Sequence, residues 1–305
     1  MKLSSVEVSL VGGLGNQLFG YFAGAWLASR LDLNLCVNLS LVARNHSDGK
    51  FDISSFALPG DFKKRRYAQT QLFINARRIR DSLQVRAPHI TGYLNSRLGV
   101  YHDAGLGDFD PHVEDLPKGR IHLKGYFSSY EYFRRFELLN PTAPVRLKDP
   151  SDWYLAKLRK LNNERPISLH VRRGDYVNSS SSLGLLSRSY YVEALNYLER
   201  VGLDGNLWIF SDDLLAAQRE LGKLPKKFYP TFIEIPKDHD PAESMLLMTH
   251  SKANIVANST FSGWGATLNP NSRIIIGPRT FFRDQRELPG YPPKEWHAIS
   301  SLWVK

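Results

Sequence analysis

The sequence is poor in cysteine, in long apolar runs and, over one stretch, in acids. Cys36 is the single cysteine among 305 residues. No internal disulfide can form, so the fold rests on its hydrophobic core. The lone thiol sits in an apolar run and reads as a small buried hydrophobe rather than a nucleophile. No run approaches the ~18 continuous apolar residues of a membrane-spanning helix. The opening MKLSSVEVSLVGG carries one lysine, an alternating apolar pattern and then glycines, which reads as a first strand and not as a signal peptide. No internal repeat is visible. The one low-complexity run, Ser179–Ser182, follows a charged motif and reads either as a lid or as an inert surface loop.

Acids are scarcest between Lys63 and Arg97, where nine Lys/Arg face one acid, Asp81, within a chain of net charge +10. Leu72, Phe73, Ala76, Ile79 and Leu83 fall there at helical spacing, with Arg77, Arg78, Arg80 and Arg86 largely off that stripe. One reading is a solvated helix face. The other is attraction to an anionic membrane surface, a nucleotide or a charged acceptor.

What is present suits a globular α/β protein. Hydrophobic residues at 42% and charged residues at 23% exclude wholesale disorder. The length suffices for two domains of about 150 residues each. Apolar runs that read as strands (6–11, 121–124, 167–171, 207–210, 253–257, 273–276) alternate with helical patterns (17–31, 153–161, 190–200, 241–250, 259–268), the signature of parallel sheets covered by helices. The stretch 138–150, with Pro141, Pro144 and Pro150 and no period, reads as a linker. The expected domains are 1–145 and 151–305.

Four motifs can carry chemistry. Gly12-Gly13-Leu14-Gly15-Asn16-Gln17 joins a strand to a helix. Glycines let backbone approach a ligand, and a helix start offers free N–H groups to an anion, but the same sequence also makes an ordinary tight turn. His170-Val171-Arg172-Arg173-Gly174-Asp175-Tyr176 ends the strand ISLHV. Planar guanidinium forks suit a phosphate or diphosphate, and Asp175 can orient one of them; the competing reading is a structural Arg–Asp pair. In Ser211-Asp212-Asp213, a carboxylate at a strand end can accept from the N1–H and N2–H₂ edge of guanine, or can cap a helix. Asn258-Ser259-Thr260-Phe261 opens a helix whose N–H groups and hydroxyls suit phosphate, or make a plain cap. The last three follow successive strands of the second half, where a nucleotide crevice belongs. Asp108-Phe109-Asp110 spells a metal-binding Asp-x-Asp, but Gly107 and Pro111 bracket it as a turn.

GGLGNQLF, GYFSSYEYF at 125–133, HVRRGDY, FSDD and NSTFSGWGATLNP occur in the order found in the α-1,2-fucosyltransferases, and the chain resembles that family (glycosyltransferase family 11-like) through to the Trp296 region. It departs from it at Ser128, Glu131, Gly263 and Thr267. The resemblance implies two Rossmann-like domains of GT-B type facing across a cleft, an acceptor side in the N-terminal domain, GDP-fucose as donor, and inverting transfer without metal or other cofactor. It implies that Arg172 and Arg173 hold the diphosphate, with His170 and Asp175 among the substrate-binding residues. Asp212 or Asp213 would read guanine, Ser259, Thr260 and the adjoining helix start would hold phosphate, and Asn258 and Phe261 would bind substrate. Asn16 would line the sugar side, and Gly15 would bind substrate beside it in sequence. The implied acceptor is a galactose-terminated oligosaccharide or lipid-linked glycan, with an unanchored cytoplasmic enzyme that touches the inner membrane face through Lys63–Arg97. His170, Asp175 and Glu243 are candidate general bases, with no assignment among them. The competing functions are transfer from another GDP-sugar and a non-catalytic nucleotide- or nucleic-acid-binding protein; no nucleic-acid motif is visible.

Overall fold

The structure is a computed structural model that describes residues 4–42, 53–63, 99–103, 107–116, 119–142, 145–284 and 286–304, without the side chains of Asp175, Asn178 and Ser179. The basic segment, Lys63 apart, lies outside the described residues, as does its apolar stripe. The chain divides into two units, Met1–Ser54 with Leu58–Pro144, and Ser55–Ala57 with Val145–Lys305.

The first unit holds a five-stranded sheet in the order β3-β2-β1-β5-β4, with its neighbouring strands parallel: β1 (Ser5–Ser9), β2 (Asn34–Asn38), β3 (Asp61–Lys63), β4 (Val100–His102) and β5 (Arg120–Lys124). Helix α1 (Leu14–Leu31) carries the chain from β1 to β2 and is buried almost all round from Leu14 to Ala28. Its glycines explain how closely it lies on the sheet. A Cβ on Gly20 would come within 2.9 Å of Leu10, and one on Gly24 within 2.9 Å of Val8. Helix α2 (Glu131–Leu139) packs on α1 through rings, with Phe22 centred 4.7 Å from Phe133 and 5.4 Å from Phe136.

The second unit holds a six-stranded sheet, also parallel throughout, in the order β11-β10-β9-β6-β7-β8: β6 (Ile167–Val171), β7 (Gly205–Ser211), β8 (Phe228–Phe232), β9 (Ala253–Ile255), β10 (Ile275–Pro278) and β11 (His297–Ile299). All five residues of β6 are buried, as a central parallel strand covered on both faces requires. Helix α3 (Asp152–Glu164) starts where the Ser151 hydroxyl accepts from the Tyr154 N–H at 3.1 Å. Helix α4 (Arg188–Arg200) sends Tyr190, Tyr191, Ala194, Leu195 and Leu198 into the core beside Ile167, Leu169, Leu207 and Ile209. Helices α5 (Leu214–Leu221), α6 (Pro241–Met248) and α7 (Thr260–Thr267) complete the unit. Gly265 lets α7 lie against α6, because a Cβ there would sit 3.0 Å from the Met248 Cβ.

Three residues of the early chain belong to this second unit. Phe56, fully buried, bridges Leu147 antiparallel, the Ala57 N–H donates to the Arg146 carbonyl at 2.7 Å, and the Lys148 N–H donates to the Ser55 carbonyl at 2.9 Å. The Ser55 hydroxyl donates to Asp240, the residue that caps α6.

The α/β class and the two parallel, helix-covered sheets are as the alternation of patterns predicts. Beyond that reading the structure adds strands β2, β3, β4, β8 and β11 and helices α2 and α5.

Candidate active site

Strand order fixes where a ligand can enter. From β6 the chain moves outward through β7 to β8, then returns to the other side of β6 with β9. The direction of winding therefore reverses between β6 and β9, and ligands of open α/β sheets bind off the carboxyl ends of strands at such a reversal. Arg172 follows β6 directly, Asp212 follows β7, and Asn258 to Thr260 follow β9. Three of the four sequence motifs thus meet at one edge of one sheet.

The pair Arg172–Asp212 organises this edge. Arg172 Nη1 lies 2.9 Å from Asp212 Oδ2, and the Arg173 backbone N–H donates to Asp212 Oδ1 at 2.8 Å. Asp212 therefore ties the end of β7 to both arginines of the β6 motif. Gly174 makes room for this, because a Cβ there would fall 2.5 Å from Asp212 Oδ2. The Arg172 guanidinium stands 5.1 Å from the Tyr176 ring centre, and the Tyr176 hydroxyl donates to the Asn258 carbonyl at 3.1 Å, so the β6 and β9 loops are linked.

The two arginines have different surroundings. The Arg172 side chain keeps 25% of its surface exposed, while that of Arg173 keeps 6%. Arg173 turns inward: Nη2 donates to the Leu186 carbonyl at 3.0 Å and pairs with Glu220 of α5 at 3.2 Å. The aspartates divide as well. Asp213 is the α5 cap, accepting from the Ala216 N–H at 2.9 Å, and Asp212 is the arginine partner.

His170 is buried at the end of β6, with its ring 5.7 Å from that of Phe261. Burial, and then the Arg172 charge, push its pKa down to about 3, so the ring is neutral near pH 7. Its Nδ1 has no protein hydrogen-bond partner. Asn258 is committed to the protein: its amide donates to the Leu183, Gly184 and Phe281 carbonyls at 2.7, 3.4 and 3.2 Å, holding three loops together. Ser259 is the α7 N-cap residue but makes no side-chain cap bond, and Thr260 and Phe261, partly exposed, form the first turn. The Asp175 side chain lies outside the described residues.

Glu243, one of the candidate bases, lies elsewhere in the second unit. It is buried in α6, accepts from the Ser151 N–H at 2.6 Å and the Ser151 hydroxyl at 2.7 Å, and stands 3.3 Å from His239 Nδ1. Those bonds fasten the start of α3 and make Glu243 a structural residue. The Asp-x-Asp spelling is a turn, as read. Asp110 caps the short 3₁₀ helix Pro111–Asp115 through the His112 N–H and receives the Tyr101 hydroxyl, while Phe109 packs on Trp26 and Tyr132. Among the described residues no group of three His, Cys, Asp or Glu is placed to hold a metal, and no helix is long and apolar enough to cross a membrane.

In the first unit the glycine motif follows β1. Gly12 takes φ +72°, and a Cβ there would sit 2.7 Å from the Asn16 amide nitrogen, so glycine is required at that position. Gln17 is buried, donating to the Gly12 carbonyl at 2.9 Å and accepting from the Ile53 N–H at 3.1 Å. Gly15 is buried in the first turn of α1, and Asn16 is the partly exposed polar side chain of that turn.

Gly174 and Tyr176 stood inside a recognised motif without a role of their own. Glu220 carried no signal, because its tie to Arg173 spans 47 positions of sequence.

Residues 152–300 match the Glycosyl transferase family 11 model. The O-antigen biosynthesis glycosyltransferase WbnK of Escherichia coli is 29% identical, over 90% of this chain and 93% of its own. An alpha-1,2-colitosyltransferase of Escherichia coli is 25% identical, over 97% and 99%. The galactoside 2-alpha-L-fucosyltransferase SEC1 of Bos taurus is 26% identical, over 53% and 45%. The crystal structure of NodZ alpha-1,6-fucosyltransferase soaked with GDP-fucose superposes with a TM-score of 0.51 at 12% identity, over 90% of this chain and 94% of that one, which supports the GT-B type of fold. Over residues 152–300, within its second unit, the chain is thus similar to the family 11 glycosyltransferases.

Proposed function

We propose that the protein is an inverting, metal-independent transferase that moves L-fucose from GDP-fucose to the 2-hydroxyl of a galactose residue in a glycan. The observation that carries the reading is the Arg172–Asp212 pair at the winding reversal of the second sheet, with the start of α7 following the adjacent strand. As the bond between the sugar carbon and the diphosphate breaks, positive charge develops on the sugar and negative charge on the leaving nucleotide. A preorganised guanidinium, held by a carboxylate and backed by an aromatic ring, meets that negative charge without reorganising. Arg172 fills this role. Arg173, spent on Leu186 and Glu220, positions the loop and Asp212 instead. His170, neutral and adjacent, offers a ring nitrogen to the bound nucleotide rather than a charge. Guanine recognition by Asp212 or Asp213 would use a carboxylate that already has a protein partner, so it is the part of the donor reading least supported by the site.

A second reading is favoured by the colitosyltransferase, which aligns with 97% of this chain: the same site would accept a colitosyl donor. The deciding experiment is turnover with a panel of GDP-sugars and galactose-terminated acceptors, with the product linkage read by NMR. Transfer from GDP-fucose forming a 1,2-linkage is expected, undiminished by EDTA. Loss of activity in EDTA with recovery on magnesium or manganese refutes metal independence. The acceptor side belongs to the first unit, and the basic segment from Lys63 to Arg97 would draw it to an anionic membrane carrying a lipid-linked acceptor. Absence of binding to anionic liposomes at low salt contradicts that last part.

A further inference from the structure

The first sheet has a winding reversal of its own. From β1 the chain moves through β2 to β3 on one side, and β5 pairs on the other side of β1, with β4 outside it. Ser9 and Lys124 are register partners, so β1 and β5 end level. The Gly12–Asn16 turn leaves β1 there, and the turn Gly125–Phe127 leaves β5 beside it. By the rule that locates the donor site in the second unit, this pair of strand ends is where the first unit should hold a ligand.

The β5 turn is built unusually. Phe127 takes φ +51°, a left-handed conformation that a bulky side chain rarely adopts, and its ring is fully buried. Two bonds hold it there: its N–H donates to Asp103 Oδ2 at 2.9 Å, and the Ser129 N–H donates to its carbonyl at 2.6 Å. Gly125, at φ +137°, has no room for a Cβ, which would fall 2.5 Å from the Asp103 Cβ. Such a conformation persists only where its surroundings impose it, and it collects at sites of function. Its effect is to bury Phe127 and leave Tyr126 outside, 48% exposed. Among the described residues two aromatic side chains are this open, Tyr126 and Tyr229. Tyr229 lies near the start of the edge strand β8, away from any carboxyl end.

We propose that Tyr126 is the platform on which the acceptor sugar stacks, and that the strained Phe127 turn with Asp103 positions it. The proposal rests on the reading that the first unit takes a glycan acceptor. A pyranose such as galactose has one face of C–H bonds, which are weakly positive and apolar, and the negative face of an aromatic ring fits them. Asn16, in the first turn of the helix that follows β1, carries an amide that can supply a donor and an acceptor for hydroxyls.

The test uses the full chain with Tyr126→Ala, Tyr126→Phe and Asp103→Ala. For Tyr126→Ala the KM for the acceptor should rise roughly tenfold, with KM for the donor and the slow hydrolysis of donor by water unchanged. Tyr126→Phe should keep the wild-type acceptor KM, because the ring and not the hydroxyl does the stacking. Asp103→Ala should raise acceptor KM in the same direction. An acceptor KM unchanged in Tyr126→Ala, or a Tyr126→Phe variant as impaired as the alanine, overturns the proposal. Saturation-transfer NMR with a galactoside and no donor separates the proposal from the choice of donor. Contact signals present in the wild type and lost in Tyr126→Ala support it even where fucose is not the sugar moved. A galactoside signal equal in both proteins refutes it.

Discussion

Replacing Arg172 by alanine should cost catalysis much more than stability. Loss of one preorganised donor at a developing anion typically lowers kcat by about 10²–10³, or roughly 2.7–4 kcal/mol of transition-state stabilisation. The structural loss is smaller. Asp212 keeps its bond from the Arg173 N–H at 2.8 Å and stays open to water, which replaces the missing guanidinium. An ion pair with a quarter of each side chain exposed contributes about 1 kcal/mol at most, or some 2–4 °C in melting temperature for a chain of this size. The assay is single-turnover and steady-state transfer from saturating GDP-fucose, with thermal melting on the same preparations. Arg172→Lys should fall between wild type and alanine, because lysine restores the charge but not the planar fork. Arg173→Ala should show the opposite balance, losing stability first, since it leaves the Leu186 carbonyl and Glu220 without their buried partner. An Arg172→Ala protein that melts normally and turns over within about threefold of wild type would refute the assignment of the leaving-group charge to this residue.

Gly174→Ala places a methyl group 2.5 Å from Asp212 Oδ2 and should displace the Arg172–Asp212 pair, lowering kcat at least about tenfold and stability by roughly 1–3 kcal/mol, as read by kinetics and melting. His170 is neutral in the fold, with its pKa down near 3, and takes up a proton near pH 6.5 once unfolded. The unfolded state therefore binds more protons between those values, and stability falls with decreasing pH in that window by up to about 1.4 kcal/mol per pH unit. His122, pushed down to about 4 chiefly by burial, adds to the same slope. In His170→Leu the fall between pH 6 and pH 4.5 in denaturant titrations should be shallower than in the wild type; an equal slope contradicts the burial argument. Glu243→Ala removes two hydrogen bonds that hold the start of α3 and should destabilise by about 1–3 kcal/mol, seen as a melting temperature lower by on the order of 5 °C.

The sequence was most readable where structure is local. Continuous apolar runs announced β6 and β7, and glycines announced the β1–α1 turn, because burial on two faces and close helix packing leave a direct trace in residue type. The short strands left little trace. β3, β4 and β11 have three residues each, and β8 carries Pro230 within an edge strand. For the site, the three motifs follow strands that are neighbours in the sheet, β9, β6 and β7, although β8 intervenes in the chain. The pairings within it were not readable. Arg172 pairs with Asp212, forty positions away, a contact that sequence proximity does not announce; the Asp175 side chain lies outside the described residues. Asn258, a candidate substrate-binding residue by its place in a motif, spends its amide on three carbonyls contributed by distant loops. Which of several polar residues faces a ligand depends on such long-range bonds, and local spacing does not encode them.

The hairpin-like contact of Phe56 with Leu147 limits how this protein can be dissected. A fragment beginning at Val145 would lack a ring that is fully buried in its own unit, together with the hydroxyl that bonds the α6 cap. During synthesis Ser55–Ala57 must likewise wait for the rest of its own unit, which begins to leave the ribosome some ninety residues later. Excised pieces for binding studies should carry Ser55–Ala57 on a linker, and a random-cleavage library should show the two halves surviving together more readily than apart.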